Sequence, residues 1–307
     1  MSKKYILAVL LAVVSTFTMA KDYKVYVPNP PGSGAGDAMA RKISEIYSRR
    51  NNGHALVVVN VPGGNHVLAI NEYKKQSLSL ILSTSTMHVF NYTQPEIVNY
   101  SDKDFNHIAE LGEVPSFYFT YPGSGINNIK DLISAPSNKP LLIGSHANNT
   151  LININSIKKN LGSAVEAVTF NNPNEMITQV VGKNLMVGQS TGSGNNLFPM
   201  AKDGKVKILG STINNNVRIQ DIEIPSVSTQ LKVPQYNGYQ WISISPGNSA
   251  EHTQLANDIK EIVSGQEFQN FLQSVLVFSS GTKEPPIKQI HRMRNSVLLN
   301  RDLLSMP

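Results

Sequence analysis

Between Tyr23 and Leu304 the chain alternates short apolar runs with amphipathic stretches, and that alternation narrows its possible folds more than any other feature. The stretches "YKVYV" (23–27), "HALVVVN" (54–60), "LSLILS" (78–83), "NKPLLIGS" (138–145), "VEAVTF" (165–170), "NLMVG" (184–188), "VKILGST" (206–212) and "YQWISISP" (239–246) read as strands. "DFNHIAELGEVPSFYFTYP" (104–122) reads as one long extended segment interrupted at Pro115. Between them, apolar residues recur at threes and fours: Met39, Ile43, Ile46 and Tyr47 behind an Asp37 N-cap, and Met176, Ile177, Val180 and Val181 behind Asn172-Pro173. Three helices are expected to end the chain, over Ser249–Ser264, Glu267–Val275 and roughly Pro286–Leu304. Such alternation predicts an α/β protein with largely parallel sheets. No internal repeat and no linker-like segment stands out, so two lobes are expected to be joined through ordered strands.

The first 20 residues, "MSKKYILAVLLAVVSTFTMA", have two lysines, an apolar core and a small-residue end. That is the layout of a secretory signal peptide cleaved after Ala20, which implies export. Residues 21–307 suit two lobes of ordinary domain size. With no Cys, a disulfide framework and a thiolate metal site are excluded. The net charge of +6 is scattered and not interleaved with aromatics, so no nucleic-acid partner is expected. The seven histidines (54, 66, 88, 107, 146, 252, 291) have no metal-ligand spacing, so neither metal nor cofactor is expected.

The first strand runs into "VPNPPGSGAGD" (27–37) and then a helix. Here free backbone N–H groups and the helix dipole favour an anion, and the glycines remove side chains from the amides. No Gly-Lys-Ser/Thr follows, and Asp37 stands where a dinucleotide fingerprint needs its third Gly. A plain connection remains the alternative. "LLIGSHANNTL" (141–151) repeats the arrangement with Ser145, His146, Asn149 and Thr150, though Asn and Thr are also ordinary caps. "ILSTSTMH" (81–88) places Thr84 and Ser85 after a third strand. Ligands of open α/β sheets gather at such strand ends.

One motif speaks for an enzyme. Gly188-Gln189-Ser190-Thr191-Gly192 matches G-x-S-x-G, with His252 or His291 and Asp221 or Asp258 in permissible order for a serine hydrolase. A nucleophile elbow turns at once into a helix, whereas Gly192, Gly194 and Pro199 crowd this segment.

Taken in order, these stretches resemble the periplasmic solute receptors of tripartite tricarboxylate transporters, the Bug family. The resemblance rests on "PNPPGSGAGDAMARKIS" (28–44), "NVPGGN" (60–65), "DFNHIAELGEVPSF" (104–117), "IGSHANNT" (143–150), "AVTFNNPNE" (167–175) and the Trp-bearing "YQWISISPGNS" (239–249). It implies a two-lobed type II periplasmic binding fold with a mixed, mostly parallel sheet in each lobe. Lobe I would comprise residues 21–120 and 240–307, and lobe II residues 121–239. It further implies a monomeric, non-enzymatic receptor that holds a small organic anion and delivers it to inner-membrane permease subunits. A serine hydrolase or a non-transport sensor on the same fold are the alternatives.

The expected contacts are Asn29, Pro31, Gly32, Ser33, Gly34, Gly36 and Asp37 from the first loop, with Thr84 and Ser85 beside them. Ser145, His146, Asn149, Thr150, Asn171, Gln189 and Ser190 would come from lobe II. Many relatives have an Asp that greets an amino group where this chain has Gly188-Gln189. Its lack here points to a solute without an ammonium, such as a di- or tricarboxylate.

Overall fold

The computed structural model describes residues 21–51, 54–93, 98–134, 138–192, 194–278, 284–299 and 301–304. The expected signal peptide and its cleavage at Ala20 lie outside the described residues. So does position 300 within the expected last helix, which the structure describes as a helix over Pro286–Leu299 followed by a short turn over Arg301–Leu304.

Two five-stranded sheets form the core. The first has the order β2-β1-β3-β12-β4, using β1 (Asp22–Val27), β2 (Ala55–Asn60), β3 (Leu80–Thr84), β4 (Asn106–Val114) and β12 (Gly238–Ile244). The second has the order β7-β6-β8-β5-β9, using β5 (Ser116–Thr120), β6 (Leu141–Ser145), β7 (Val165–Thr169), β8 (Val187–Thr191) and β9 (Lys207–Ser211). A hairpin of β10 (Val217–Ile219) and β11 (Ile222–Ile224) is appended to the second lobe.

The two sheets share one topology. In each, β1/β2/β3 or β6/β7/β8 pair in parallel. A strand arriving from the other lobe inserts antiparallel: β12 between β3 and β4, and β5 between β8 and β9. The lobes are therefore stitched by exchanged strands and not by a linker. The chain crosses at Pro115, between β4 and β5, and returns between Leu231 and Gly238. Residues 116–120, assigned to lobe I in the sequence reading, thus hydrogen-bond within the sheet of lobe II.

Apolar periodicity explains the helices that cover these sheets. In α1 (Gly34–Arg50), Met39, Ile43, Ile46 and Tyr47 are buried against lobe I, where Leu80 and Leu82 join the same core. The central strand β3 is buried along its whole length, as expected for a strand covered on both faces. The further helices are α2 (Val67–Lys74), α3 (Ser85–Thr93), α4 (Asn148–Leu161), α5 (Pro173–Val181), α6 (Gly194–Lys202), α7 (Val227–Leu231), α8 (Ala250–Ser264), α9 (Gln266–Ser274) and α10 (Pro286–Leu299).

One strand differs from its expected position. "NLMVG" (184–188) overlaps only the start of β8, which continues through Gln189, Ser190 and Thr191. Residues this polar read as a loop. They form a strand because they pair antiparallel with Ser116, Phe117 and Tyr118 of β5, and the sheet leaves no room for a side chain at Gly188, where a Cβ would lie 2.6 Å from Phe119 Cζ.

Candidate functional site

In each sheet the order reverses beside its first strand, and the helices that follow begin at the C-terminal strand ends. Both lobes turn those ends towards one interlobe cleft of about 630 Å³. The N-termini of α1, α3, α4 and α5 all open on it, represented by Gly34-Ala35-Gly36, Ser85-Thr86, Asn149 and Asn172-Pro173. Each helix start carries N–H groups without intrahelical partners and the positive end of the helix dipole. Among the described residues that line the cleft there is no Lys, Arg, Asp or Glu. The cleft is thus electropositive through backbone and helix ends alone, the arrangement that holds anions at helix N-termini.

The first loop is held from behind. Asp37, 2 % exposed, accepts from the Gly32 amide at 2.8 Å, Asn60 Nδ2 at 2.8 Å, and Arg41 Nε and Nη2 at 2.8 and 3.1 Å. Burial alone would raise its pKa, but the bonds from Arg41, Asn60 and Gly32 together hold it below the ordinary carboxylate value. Asn60 Nδ2 also donates to the Asn29 carbonyl at 2.9 Å. Ser33 turns its hydroxyl back onto the Pro30 carbonyl at 2.8 Å and provides no side-chain cap, leaving the first-turn amides of α1 uncapped. Gly36 leaves room for two side chains: a Cβ there would sit 3.2 Å from Gln240 Oε1 and 3.3 Å from Asn29 Oδ1, so both would have to shift. That Gln240 oxygen is buried with no hydrogen-bond partner among the described residues, and Gln240 lines the cleft.

Opposite, the loop after β6 is braced by Thr150. Its hydroxyl donates to the Ala147 carbonyl at 2.7 Å and accepts from the amides of Ala147 (3.1 Å) and His146 (3.3 Å). Asn149 Nδ2 donates to Thr191 Oγ1 at 2.8 Å and to Ser116 Oγ at 3.1 Å. His146 lines the cleft, and its Nε2 accepts the Thr191 amide at 3.1 Å. The neutral ring therefore keeps its proton on Nδ1. Desolvation pushes the His146 pKa down to about 4, so the ring is neutral at pH 7.

Of the expected contacts, the cleft brings together Asn29, Ser33, Gly34, Gly36, Thr84 and Ser85 from lobe I with Ser145, His146, Asn149 and Asn171 from lobe II. Six others are placed differently. Pro31 and Gly32 are exposed and outside the lining, and the Gly32 amide is committed to Asp37. Asp37 and Thr150 are buried braces behind the two loops. Gln189 and Ser190 are wholly buried in β8, because that segment is a sheet strand and not a loop. The missing Asp at this point therefore says nothing about an amino group, since the position does not line the cleft.

Beyond the expected contacts, His66, Thr86, Phe170, Tyr239 and Gln240 also line the cavity. His66 follows Gly63-Gly64, has φ 77°, and pairs its Nδ1 with Thr84 Oγ1 at 3.0 Å. Burial lowers its pKa to about 4. The "NVPGGN" turn was the available signal for it. Gln240 had no signal, because its role depends on a strand returning from the other lobe.

The hydrolase arrangement is not assembled. Ser190 sits inside β8 opposite Phe117, not on a turn into a helix. Its hydroxyl lies 3.2 Å from His146 Nε2, the atom already accepting the Thr191 amide. His252 is at the start of α8, bonded to Ser249 and the Ser77 carbonyl.

No protein-family model and no curated sequence matches the chain. Solved structures do. An R. palustris protein with adipate superposes with a TM-score of 0.75 at 17 % identity, covering 92 % of this chain and 97 % of that one. MatC from Rhodopseudomonas palustris, with bound malate, gives 0.71 at 15 % identity over 94 % and 100 %. The periplasmic binding protein BugD gives 0.73 at 15 % identity over 93 % and 97 %. The chain therefore shares the two-lobed fold of periplasmic solute-binding proteins of the TctC and Bug type.

Proposed function

We propose that this chain is an exported, periplasmic solute-binding receptor that captures a small organic carboxylate between its lobes and delivers it to a tripartite tricarboxylate-type permease in the inner membrane. The observation that carries this reading is the convergence of four helix N-termini on an interlobe cleft with no charged side chain in its described lining. A carboxylate entering it exchanges water for hydrogen bonds to first-turn amides and cleft hydroxyls. Donors to an ionised acceptor form the stronger class of hydrogen bond, and no cation is needed to keep the acid ionised. Adipate and malate in two structures of the same fold support the ligand class.

The receptor acts as a monomer and without catalysis. Lobe closure is a population shift, so the solute must bind the closed form better than the open one. The exchanged strands suit this, because they let the lobes rotate without a long linker. Thermal melting against monocarboxylates, dicarboxylates, citrate-like acids and amino acids tests the proposal. At 100-fold excess over Kd a true solute stabilises by about 2.7 kcal/mol. A panel without any rise in melting temperature would remove the receptor reading, and labelling of Ser190 by a serine-directed phosphonate would favour the hydrolase.

A further inference from the structure

A second interlobe cavity, of about 310 Å³, lies beside the cleft and shares Ser85, Thr86, Asn149 and Tyr239 with it. Its remaining walls have a different chemistry. Val89, Ile152 and Val297 give it a buried apolar side, with exposures of 3, 2 and 7 %. Glu113 is the single acidic residue in the described lining of either cavity. Its Oε1 accepts from the Tyr239 hydroxyl at 2.8 Å and its Oε2 from Asn237 Nδ2 at 3.1 Å, and each carboxylate oxygen can take a further donor. The basic residue at this cavity, Arg292, is 61 % exposed and already paired with Glu284 at 2.8 Å.

We propose that this cavity is the second compartment of the solute site, and that the solute is an ω-amino carboxylate. Its carboxylate sits among the helix N-termini, its methylene chain runs past Val89 and Ile152, and its ammonium reaches Glu113. A second carboxylate is disfavoured there, because Glu113 would repel it and Arg292 is neutralised and wet. An ammonium meets a partly desolvated carboxylate instead, where one added charge-assisted hydrogen bond counts for more than at the surface. The proposal rests on the carboxylate reading of the cleft and specifies its other end.

The test is calorimetric titration of the full chain, without its first 20 residues, with straight-chain ω-amino acids of four to eight carbons. The methyl-terminated acid and the dicarboxylate of each length serve as comparators. One amino member is expected to bind at least tenfold tighter than both comparators of its length. Glu113→Gln is expected to cut that amino-to-methyl ratio at least tenfold. Asn214→Trp, at an exposed residue of the second cavity's wall, is expected to cut it by filling the space without touching Glu113. Plain acids that bind with a ratio near one, or a ratio that survives both substitutions, would overturn the second compartment and leave the cleft reading standing. If no acid of any kind binds, both fall together.

Discussion

Replacing Asp37 tests how the first loop is held in its binding geometry. Four donor contacts converge on this carboxylate, and it is 2 % exposed. Asp37→Ala leaves the Gly32 amide and the Asn60 amide group without their buried acceptor. Gly32 is exposed and Asn60 Nδ2 keeps its bond to the Asn29 carbonyl, so each donor loses one charge-assisted hydrogen bond, about 1–2 kcal/mol, without being left wholly unpaired. The Arg41 contribution is smaller, because its side chain is 53 % exposed and such pairs contribute about 0–1 kcal/mol. The sum is a loss of about 2–4 kcal/mol, a fall of roughly 3–7 °C in the midpoint for a protein of this size. Arg41→Met should cost less than about 1 kcal/mol.

The pH dependence has a definite sign. The Asp37 pKa is lowered in the folded state, so its stabilisation is present above the unfolded value near 4 and is lost as pH falls through the folded value. Urea denaturation of the unmodified chain, Asp37→Ala and Arg41→Met at pH 7 measures all three. If Asp37→Ala costs no more than Arg41→Met, the brace is a surface ion pair and the reasoning is wrong.

Further predictions concern the lobes and the cleft. Gly192 has φ 67° and faces Val114 and Ala35 of lobe I, so Gly192→Val is strained and wedges the lobes apart. Small-angle scattering should show a larger radius for this variant, and an unchanged radius and affinity would refute the contact. His66 and His146, with pKa values near 4, destabilise the fold as pH falls from about 6.5 towards 4, because the unfolded chain takes up protons that the folded one refuses. Replacing both by Gln should reduce the slope of that part of the stability profile, leaving the share of His88 and His107, whose burial also holds them low, and His146→Leu should weaken carboxylate binding. Deleting residues 301–307 removes Leu303, whose carbonyl accepts from buried Asn155 Nδ2 at 2.6 Å, and the Lys159–Asp302 pair. With α10 anchored in lobe I by Arg294–Asp102, this tail ties the lobes, and its loss should cost about 2–4 kcal/mol in denaturant titration.

Periodicity carried much of the fold. The helix after Asn172-Pro173 and the break at Pro115 emerge where apolar spacing and turn residues place them, whereas the helix expected behind an Asp37 N-cap starts earlier, at Gly34 with Ser33 before it, and takes Asp37 into its first turn as a brace for the loop. Two sheets of identical order were not visible, because the repeat lies in topology and not in residues. The return crossing lies within two residues of the expected boundary at 239/240, whereas the first falls at Pro115 and not at 120/121, because only the pairing of Ser116–Thr120 with β8 and β9 decides which sheet that strand joins. In the site, the strand-end loops were readable because glycines and caps announce them. The division between residues that face the solute and residues that brace the loop was not. Asp37 and Ser33, or Thr150 and Asn149, are chemically alike in sequence, and only packing decides which looks inwards. The GQSTG stretch shows the same limit, since its pairing with β5, a contact distant in sequence, makes it a strand.

The most direct measurement is calorimetric titration with a bound carboxylic acid and with its carboxamide, matched in size and shape. Helix ends and peptide nitrogens that select negative charge predict at least a hundredfold preference for the ionised acid at pH 7, with one solute per chain. Equal binding of the uncharged analogue would contradict the account.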